Sequence, residues 1–219
     1  MIINLGEKNT IFNDFIAEIR DKEIQKDRMR FRRNMERIGE IFAYEISKTF
    51  DYQEKDIVSP LGISKINMTK EPPVLATILR AGLPLHNGLL NYFDKADNAF
   101  ISAYRKHTKD GNFEIQLEYA SCPNLDGRIL ILADPMLATG SSLVLAYKAL
   151  LAFGKPKEVH IVSTIACVDG VNNLKRQLSR RKYTLWVGAI DDELTAQSYI
   201  VPGLGDAGDL AFGTKMDND

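Results

Sequence analysis

The sequence predicts an α/β protein: a doubly wound, mainly parallel sheet flanked by helices, with a long N-terminal helix and a small β-arm. Two observations predict it. From about residue 70 onward, short apolar runs alternate with helical stretches, and strands followed by helices imply right-handed parallel crossovers. Before that point the apolar residues Phe31, Met35, Ile38, Phe42, Ile46 and Phe50 recur at three- and four-residue steps, the period of one helix face. The chain reads as a single domain, with 1–70 an N-terminal helical segment, 71–190 the core sheet and 191–215 a C-terminal loop segment.

Taken in order, Lys22–Phe50 reads as one long helix, carrying the run Arg28, Arg30, Arg32 and Arg33. A solvated or subunit-facing surface is the favoured role for these arginines; the alternative is a phosphate contact across a dimer interface. Val74–Leu79 is a strand after Pro72-Pro73, and Leu83–Tyr92 a helix. Ala99–Arg105 is the next strand. Phe113–Tyr119 alternates apolar and polar residues and suits an edge strand or hairpin arm. Arg128–Ala133 (RILILA) is a continuous apolar strand, followed by a helix over Ser142–Phe153 that stops at Gly154. Val159–Ala166 is a strand, Val171–Arg180 a helix and Tyr183–Ala189 the last clear strand. Ligands of such sheets bind beyond the carboxyl ends of the strands. Chemistry is therefore sought after Leu79, Arg105, Ala133, Ala166 and Ala189.

Composition removes several classes. Apolar residues are 45% and charged residues 26% of 219, ordinary for a globular chain. Lys+Arg is 28 against Asp+Glu 29, so no net charge favours nucleic acid or an anionic membrane. No apolar run reaches spanning length, and the N-terminus lacks a basic region followed by an apolar stretch. Cys122 and Cys167 form no CxxC pair, and His86, His107 and His160 have no metal-ligand spacing, so no protein-held metal is expected. The expectation is a reduced, cytoplasmic, soluble protein.

The strand RILILA runs into Asp134-Pro135-Met136-Leu137-Ala138-Thr139-Gly140-Ser141-Ser142 and then a helix. Small residues and Gly140 let backbone N–H groups converge. The helix N-terminus adds positive potential, and Thr139, Ser141 and Ser142 add hydroxyls. Together these suit a monophosphate. Asp134 suits a sugar hydroxyl or a metal. The blander reading is a helix cap with an Asp in a turn. The loop lacks GxxxxGK[ST] and GxGxxG, which disfavours an ATP or GTP P-loop and a dinucleotide fold.

Three blocks carry a resemblance. DPMLATGSS (134–142) resembles DPMLATGGS, the ribose-5-phosphate loop of uracil phosphoribosyltransferases. ILRAGLPLHNGLL (78–90) resembles that family's ILRAGL segment, and YIVPGLGDAGDLAFGTK (199–215) its C-terminal signature. The blocks stand in the family's order over roughly residues 20 to 215. Two positions depart from the pattern. Ser141 replaces the second Gly of TGG. A left-handed backbone there would cost a serine about 1–2 kcal/mol; otherwise its hydroxyl adds a phosphate contact, the reading favoured here. Ser198 stands where the family commonly has Gly before the Tyr.

The resemblance implies a type I phosphoribosyltransferase fold with a small hood, and the reaction of uracil with phosphoribosyl pyrophosphate to give UMP and pyrophosphate. It places Arg80 and Arg105 on the pyrophosphate, residues 134–142 on the ribose phosphate, and Ile200, Gly205, Asp206 and Ala207 on uracil. Asp206 also contacts the phosphoribosyl substrate, and Arg105 and Asp206 are the catalytic candidates. Mg²⁺ is expected to arrive with phosphoribosyl pyrophosphate, since it prefers phosphate oxygens and water. A homodimer or higher homo-oligomer is expected, with the N-terminal segment at a hood or dimer interface. GTP activates some relatives, and no motif decides it here. Lys106, His107 and Lys109 read as a polar flap, and MDND (216–219) as a frayed tail. A non-catalytic regulator on the same fold, or an enzyme for another base, are the alternatives.

Overall fold

The protein is described here from a computed structural model covering residues 1–107, 113–179 and 181–215; for 103–107 and 113–117 only the backbone is described. Ile2–Asn4 forms β1, and helix α1 covers Phe12–Arg20, where Phe12, Ile16 and Ile19 make a buried stripe. Helix α2 runs Arg28–Ser47. The helix expected over Lys22–Phe50 is thus shorter at both ends. Asp27 sets its start as N-cap, its carboxylate accepting from the Arg30 N–H at 3.0 Å. Upstream, Asp21 Oδ1 accepts from the Glu23 and Ile24 N–H groups and belongs to a separate short turn.

The segment 1–70 is also not wholly helical. Tyr52–Ser59 (β2) and Gly62–Thr69 (β3) form an antiparallel hairpin, every residue of which is exposed. Then come β4 (Val74–Leu79), α3 (Leu83–Tyr92), β5 (Asp97–His107), β6 (Phe113–Ser121), β7 (Ile129–Ala133) and β8 (Met136–Leu137). Next are α4 (Ser141–Leu150), β9 (Glu158–Cys167), α5 (Val168–Gln177), β10 (Thr184–Asp191), β11 (Glu193–Leu194), β12 (Ile200–Val201) and α6 (Ala207–Phe212).

The main sheet has the order β1-β10-β9-β7-β4-β5-β6, with β8 beside β9. Every pairing is parallel except β5 with β6, which places Phe113–Ser121 as an antiparallel edge strand. Period-two alternation fills both faces. Ile129, Ile131 and Ala133 pack in one core with α1, α2 and α3; Leu130 and Leu132 pack in the other with α4 and α5. A fully buried aliphatic side chain of this kind contributes about 1.5–3 kcal/mol, so both faces need their helices. The C-terminal segment joins the first core through Ile200, Leu204, Ala207 and Ala211, which seats it over the carboxyl ends of the strands. No described helix is long and apolar enough to cross a membrane.

Candidate active site

Where β7 ends, the chain stays laced to β9. The Asp134 N–H donates to the Val162 carbonyl at 3.0 Å, and the Ile165 N–H to the Pro135 carbonyl at 2.9 Å. Met136 and Leu137 continue this ladder as β8. Helix α5 braces the remainder: Asn173 Nδ2 donates to the Thr139 carbonyl at 2.8 Å. Gly170 permits that approach, because a Cβ there would lie 2.3 Å from the Ala138 carbonyl oxygen. The chain then turns into α4 through Gly140, at φ 77°, a conformation in which glycine has no steric penalty. Gly140 brings no capping side chain; the Ser141 N–H donates to Thr139 Oγ1 at 3.3 Å, and the positive end of α4 borders the loop as a site suited to an anion.

Ser141 is the first residue of α4, and its hydroxyl shares a 3.2 Å hydrogen bond with Thr139 Oγ1. The left-handed position of the loop is thus Gly140, not Ser141. The other departure from the family pattern carries the strain instead: Ser198, at φ 65°, is the one non-glycine residue with positive φ among the described residues.

A cleft of about 190 Å³ lies between this loop and the C-terminal segment. Asp134, Met136, Ala138, Thr139, Gly140 and Ser142 form one wall; Ser198, Tyr199 and Gly205–Gly208 form the other, and Ala81 lies at the end of β4. Of the residues expected at the site, Arg80, Pro135, Leu137, Ser141 and Ile200 do not border it, and Leu137 is fully buried in the core beneath. Ile200 is buried behind the second wall. Burial pushes the Asp134 carboxyl up to about 7, against a smaller lowering by its hydrogen bond from the Met136 N–H.

Asp206 caps α6, its Oδ1 accepting from the Asp209 N–H at 2.9 Å. Arg80 reaches across to this helix: Nη2 bonds Asp209 Oδ1 at 3.1 Å and Nη1 the Gly213 carbonyl at 3.3 Å. From the arginine run on α2, Arg32 Nη1 donates to the Ala211 carbonyl at 2.7 Å, and the Arg28 guanidinium lies against Gly213. Arg30 and Arg33 form ion pairs with Glu18 and Glu36. Arg32 therefore ties α2 to the C-terminal segment and Arg28 lies beside it, a role that neither sequence reading gave them. Arg105 stands in β5 opposite Ile115 of β6; its side chain, those of Lys106 and His107, and all of Lys109 lie outside the described residues, as do 216–219.

The structure thus brings the phosphate loop and the C-terminal block to one cleft. Tyr199, Ala81 and Gly208 border it without having been singled out from sequence. Tyr199 had a signal, an aromatic residue opening a glycine-rich block. Asn173, which braces the loop from another helix, had none.

Residues 7–214 match the family model described as uracil phosphoribosyltransferase. A uracil phosphoribosyltransferase of Porphyromonas gingivalis is 52% identical over 215 residues, 98% of this chain and 99% of that protein. Another, from Thermococcus gammatolerans, is 34% identical and covers 96% of this chain and 92% of its own length. Among solved structures, the AQ2163 protein from Aquifex aeolicus superposes with a TM-score of 0.86 at 28% identity, over 99% of this chain and 100% of that one.

Proposed function

The chain belongs to the uracil phosphoribosyltransferase family and transfers the phosphoribosyl group of phosphoribosyl pyrophosphate to uracil in pyrimidine salvage; from that premise we propose how its residues divide the work. The observation that carries the proposal is the single cleft shared by the Asp134–Ser142 loop and the 198–208 segment. The loop and the positive end of α4 take the ribose 5-phosphate. Asp134 accepts from ribose hydroxyls. Ile200 and Gly205–Ala207 read the uracil edge with main-chain groups. Arg80 and Arg105 neutralise the departing pyrophosphate, to which a guanidinium offers paired N–H donors.

In the reaction the bond from ribose C1 to the pyrophosphate oxygen breaks, the pyrophosphate taking the electron pair. The bond from C1 to uracil N1 forms, and the N1 proton passes to the departing pyrophosphate, directly or through water. Positive charge develops on the ribose, so orientation and electrostatic stabilisation are the main contributions asked of the protein. Asp206, at the junction of the base segment and α6, is placed to serve both substrates.

Magnesium belongs to this proposal as an ion carried on the pyrophosphate oxygens. The donor set fits that role: Asp134 and Asp206 border the cleft from opposite walls, suited to bonding an ion's waters rather than to caging it. A cytoplasmic homo-oligomer is likewise proposed, supported by the apolar Val58, Leu61 and Ile63 exposed on the β2–β3 hairpin. GTP is the activator to assay on it. The test of the whole reading is UMP formation from labelled uracil. It should require phosphoribosyl pyrophosphate and release one pyrophosphate per UMP; UMP formation that does not depend on phosphoribosyl pyrophosphate would contradict it.

A further inference from the structure

Helix α1 and strand β10 each send a charged residue to the base segment. Arg20, in the last turn of α1, forms a two-pronged ion pair with Asp191 at the carboxyl end of β10: Nη1 to Oδ2 at 2.8 Å and Nη2 to Oδ1 at 2.7 Å. The Gly203 N–H donates to the same Asp191 Oδ2 at 2.8 Å, and Arg20 Nη1 donates to the Gly203 carbonyl at 2.9 Å. The four bonds close a ring through both main-chain groups of one residue of the base segment, Gly203. Both side chains are largely withdrawn from solvent, at 21% and 7% exposure. Only glycine fits at 203 in this arrangement, since its φ is 56° and a Cβ would lie 2.1 Å from the Ile200 carbonyl oxygen.

We infer that Arg20 and Asp191 are positioning residues for uracil. The inference rests on the assignment of Ile200 and Gly205–Ala207 to the base. Neither Arg20, Asp191 nor Gly203 borders the cleft, so the ring acts through the backbone it holds. Gly203 lies between Ile200 and Gly205, and fixing its N–H and C=O fixes the direction in which both neighbours present theirs. Main-chain readout needs that rigidity, because hydrogen-bond donors displaced by an ångström no longer discriminate. The ribose-phosphate loop hangs on different supports, Val162, Ile165 and Asn173, and the ring touches none of them. Loss of the ring should therefore affect one substrate and spare the other. A lysine cannot restore it: an ammonium has no planar fork with which to hold both carboxylate oxygens and a carbonyl together.

The test is steady-state kinetics on full-length Arg20→Lys and Asp191→Asn, with uracil and phosphoribosyl pyrophosphate varied separately. The expected result is a KM for uracil raised about tenfold or more, the scale of lost charge-assisted hydrogen bonds, with KM for phosphoribosyl pyrophosphate within about twofold. Discrimination between uracil and cytosine should narrow as well, which a general loosening of the fold would not produce selectively. Arg20→Lys keeps the charge and most of the volume if Asp191→Asn does not fold. A parallel change in both KM values, no change in either, or failure of Arg20→Lys to fold would overturn the inference. Ala207→Val, inside the base segment, separates two failures. If it leaves the uracil KM unchanged, the assignment of the base segment is wrong; if it raises that KM while Arg20→Lys does not, only the positioning role is wrong.

Discussion

Arg80 and Asp209 face each other between the end of β4 and helix α6, Nη2 to Oδ1 at 3.1 Å, with 43% and 31% of their side chains exposed. The pair ties the loop after β4 to the segment that carries Asp206. An exposed pair of this kind contributes at most about 1 kcal/mol, so a doubly charged phosphate group competes with Asp209 for Arg80 on favourable terms.

Asp209→Asn should therefore lower the KM for phosphoribosyl pyrophosphate by a few-fold, up to about fivefold. Arg80→Ala should lower kcat/KM for it by roughly 30- to 1,000-fold, the effect of removing one electrostatic donor from a transition state. Arg105→Ala should act in the same direction. Initial rates at varied phosphoribosyl pyrophosphate check all three; an unchanged Arg80→Ala enzyme would remove Arg80 from the pyrophosphate.

Asp134 supplies a pH dependence. Its carboxyl sits near 7 rather than the ordinary 3.8, because burial penalises the charged form. If the ionised carboxylate accepts from ribose hydroxyls, kcat/KM for phosphoribosyl pyrophosphate should rise with pH through about 7 and then level. Asp134→Asn should lose this step. Stability runs the other way. A raised carboxyl favours the protonated folded state, so its contribution is full below pH 3.8 and is lost as pH rises through about 7. Thermal unfolding of the ligand-free protein at pH 5 and pH 8 should show that loss, and the loss should shrink in Asp134→Asn.

The two serines that replace glycines should respond oppositely to reversal. Ser198→Gly relieves a left-handed residue, a gain of about 1–2 kcal/mol offset in part by added unfolded-state entropy. A net gain of about 1 kcal/mol should raise Tm by roughly 2–4 °C in a chain of this size. Ser141→Gly puts glycine at a helix start and removes the bond to Thr139, so Tm should stay level or fall. A higher Tm for Ser141→Gly than for Ser198→Gly would contradict the backbone account.

Particular residues show what the sequence could and could not disclose. RILILA was legible because a strand covered on both faces is apolar at successive positions. The phosphate loop was legible because it is contiguous. The β2–β3 hairpin was not, since it buries neither face and so leaves no periodic contrast to read. Helix α2 was overextended because Phe50 is buried in phase with the helix although the chain has already left it. Ser141 is unstrained, as the sequence reading favours, but its hydroxyl bonds Thr139, and the left-handed serine is Ser198, which the motif comparison marks only as a minor departure. The Arg20–Asp191 pair was out of reach, because its members are 171 positions apart and only the fold joins them.

The central claim is that main-chain groups of Ile200 and Gly205–Ala207 select the base. A backbone N–H aimed at uracil O4 would meet the amino group of cytosine, donor against donor. A carbonyl aimed at N3–H would meet a bare ring nitrogen, acceptor against acceptor. Each buried mismatch costs about 1–3 kcal/mol, and a hydrogen-bonding site rejects such analogues by about 10⁴ or more. By contrast, 5-fluorouracil keeps the pairing edge. The decisive measurement is kcat/KM for uracil, 5-fluorouracil and cytosine in the wild type and in Asp206→Ala. The account predicts comparable use of the first two, at least about 10⁴-fold weaker use of cytosine, and the same preference at lower turnover in Asp206→Ala. Comparable use of cytosine and uracil by the wild type, or loss of the preference with the Asp206 side chain, would contradict it.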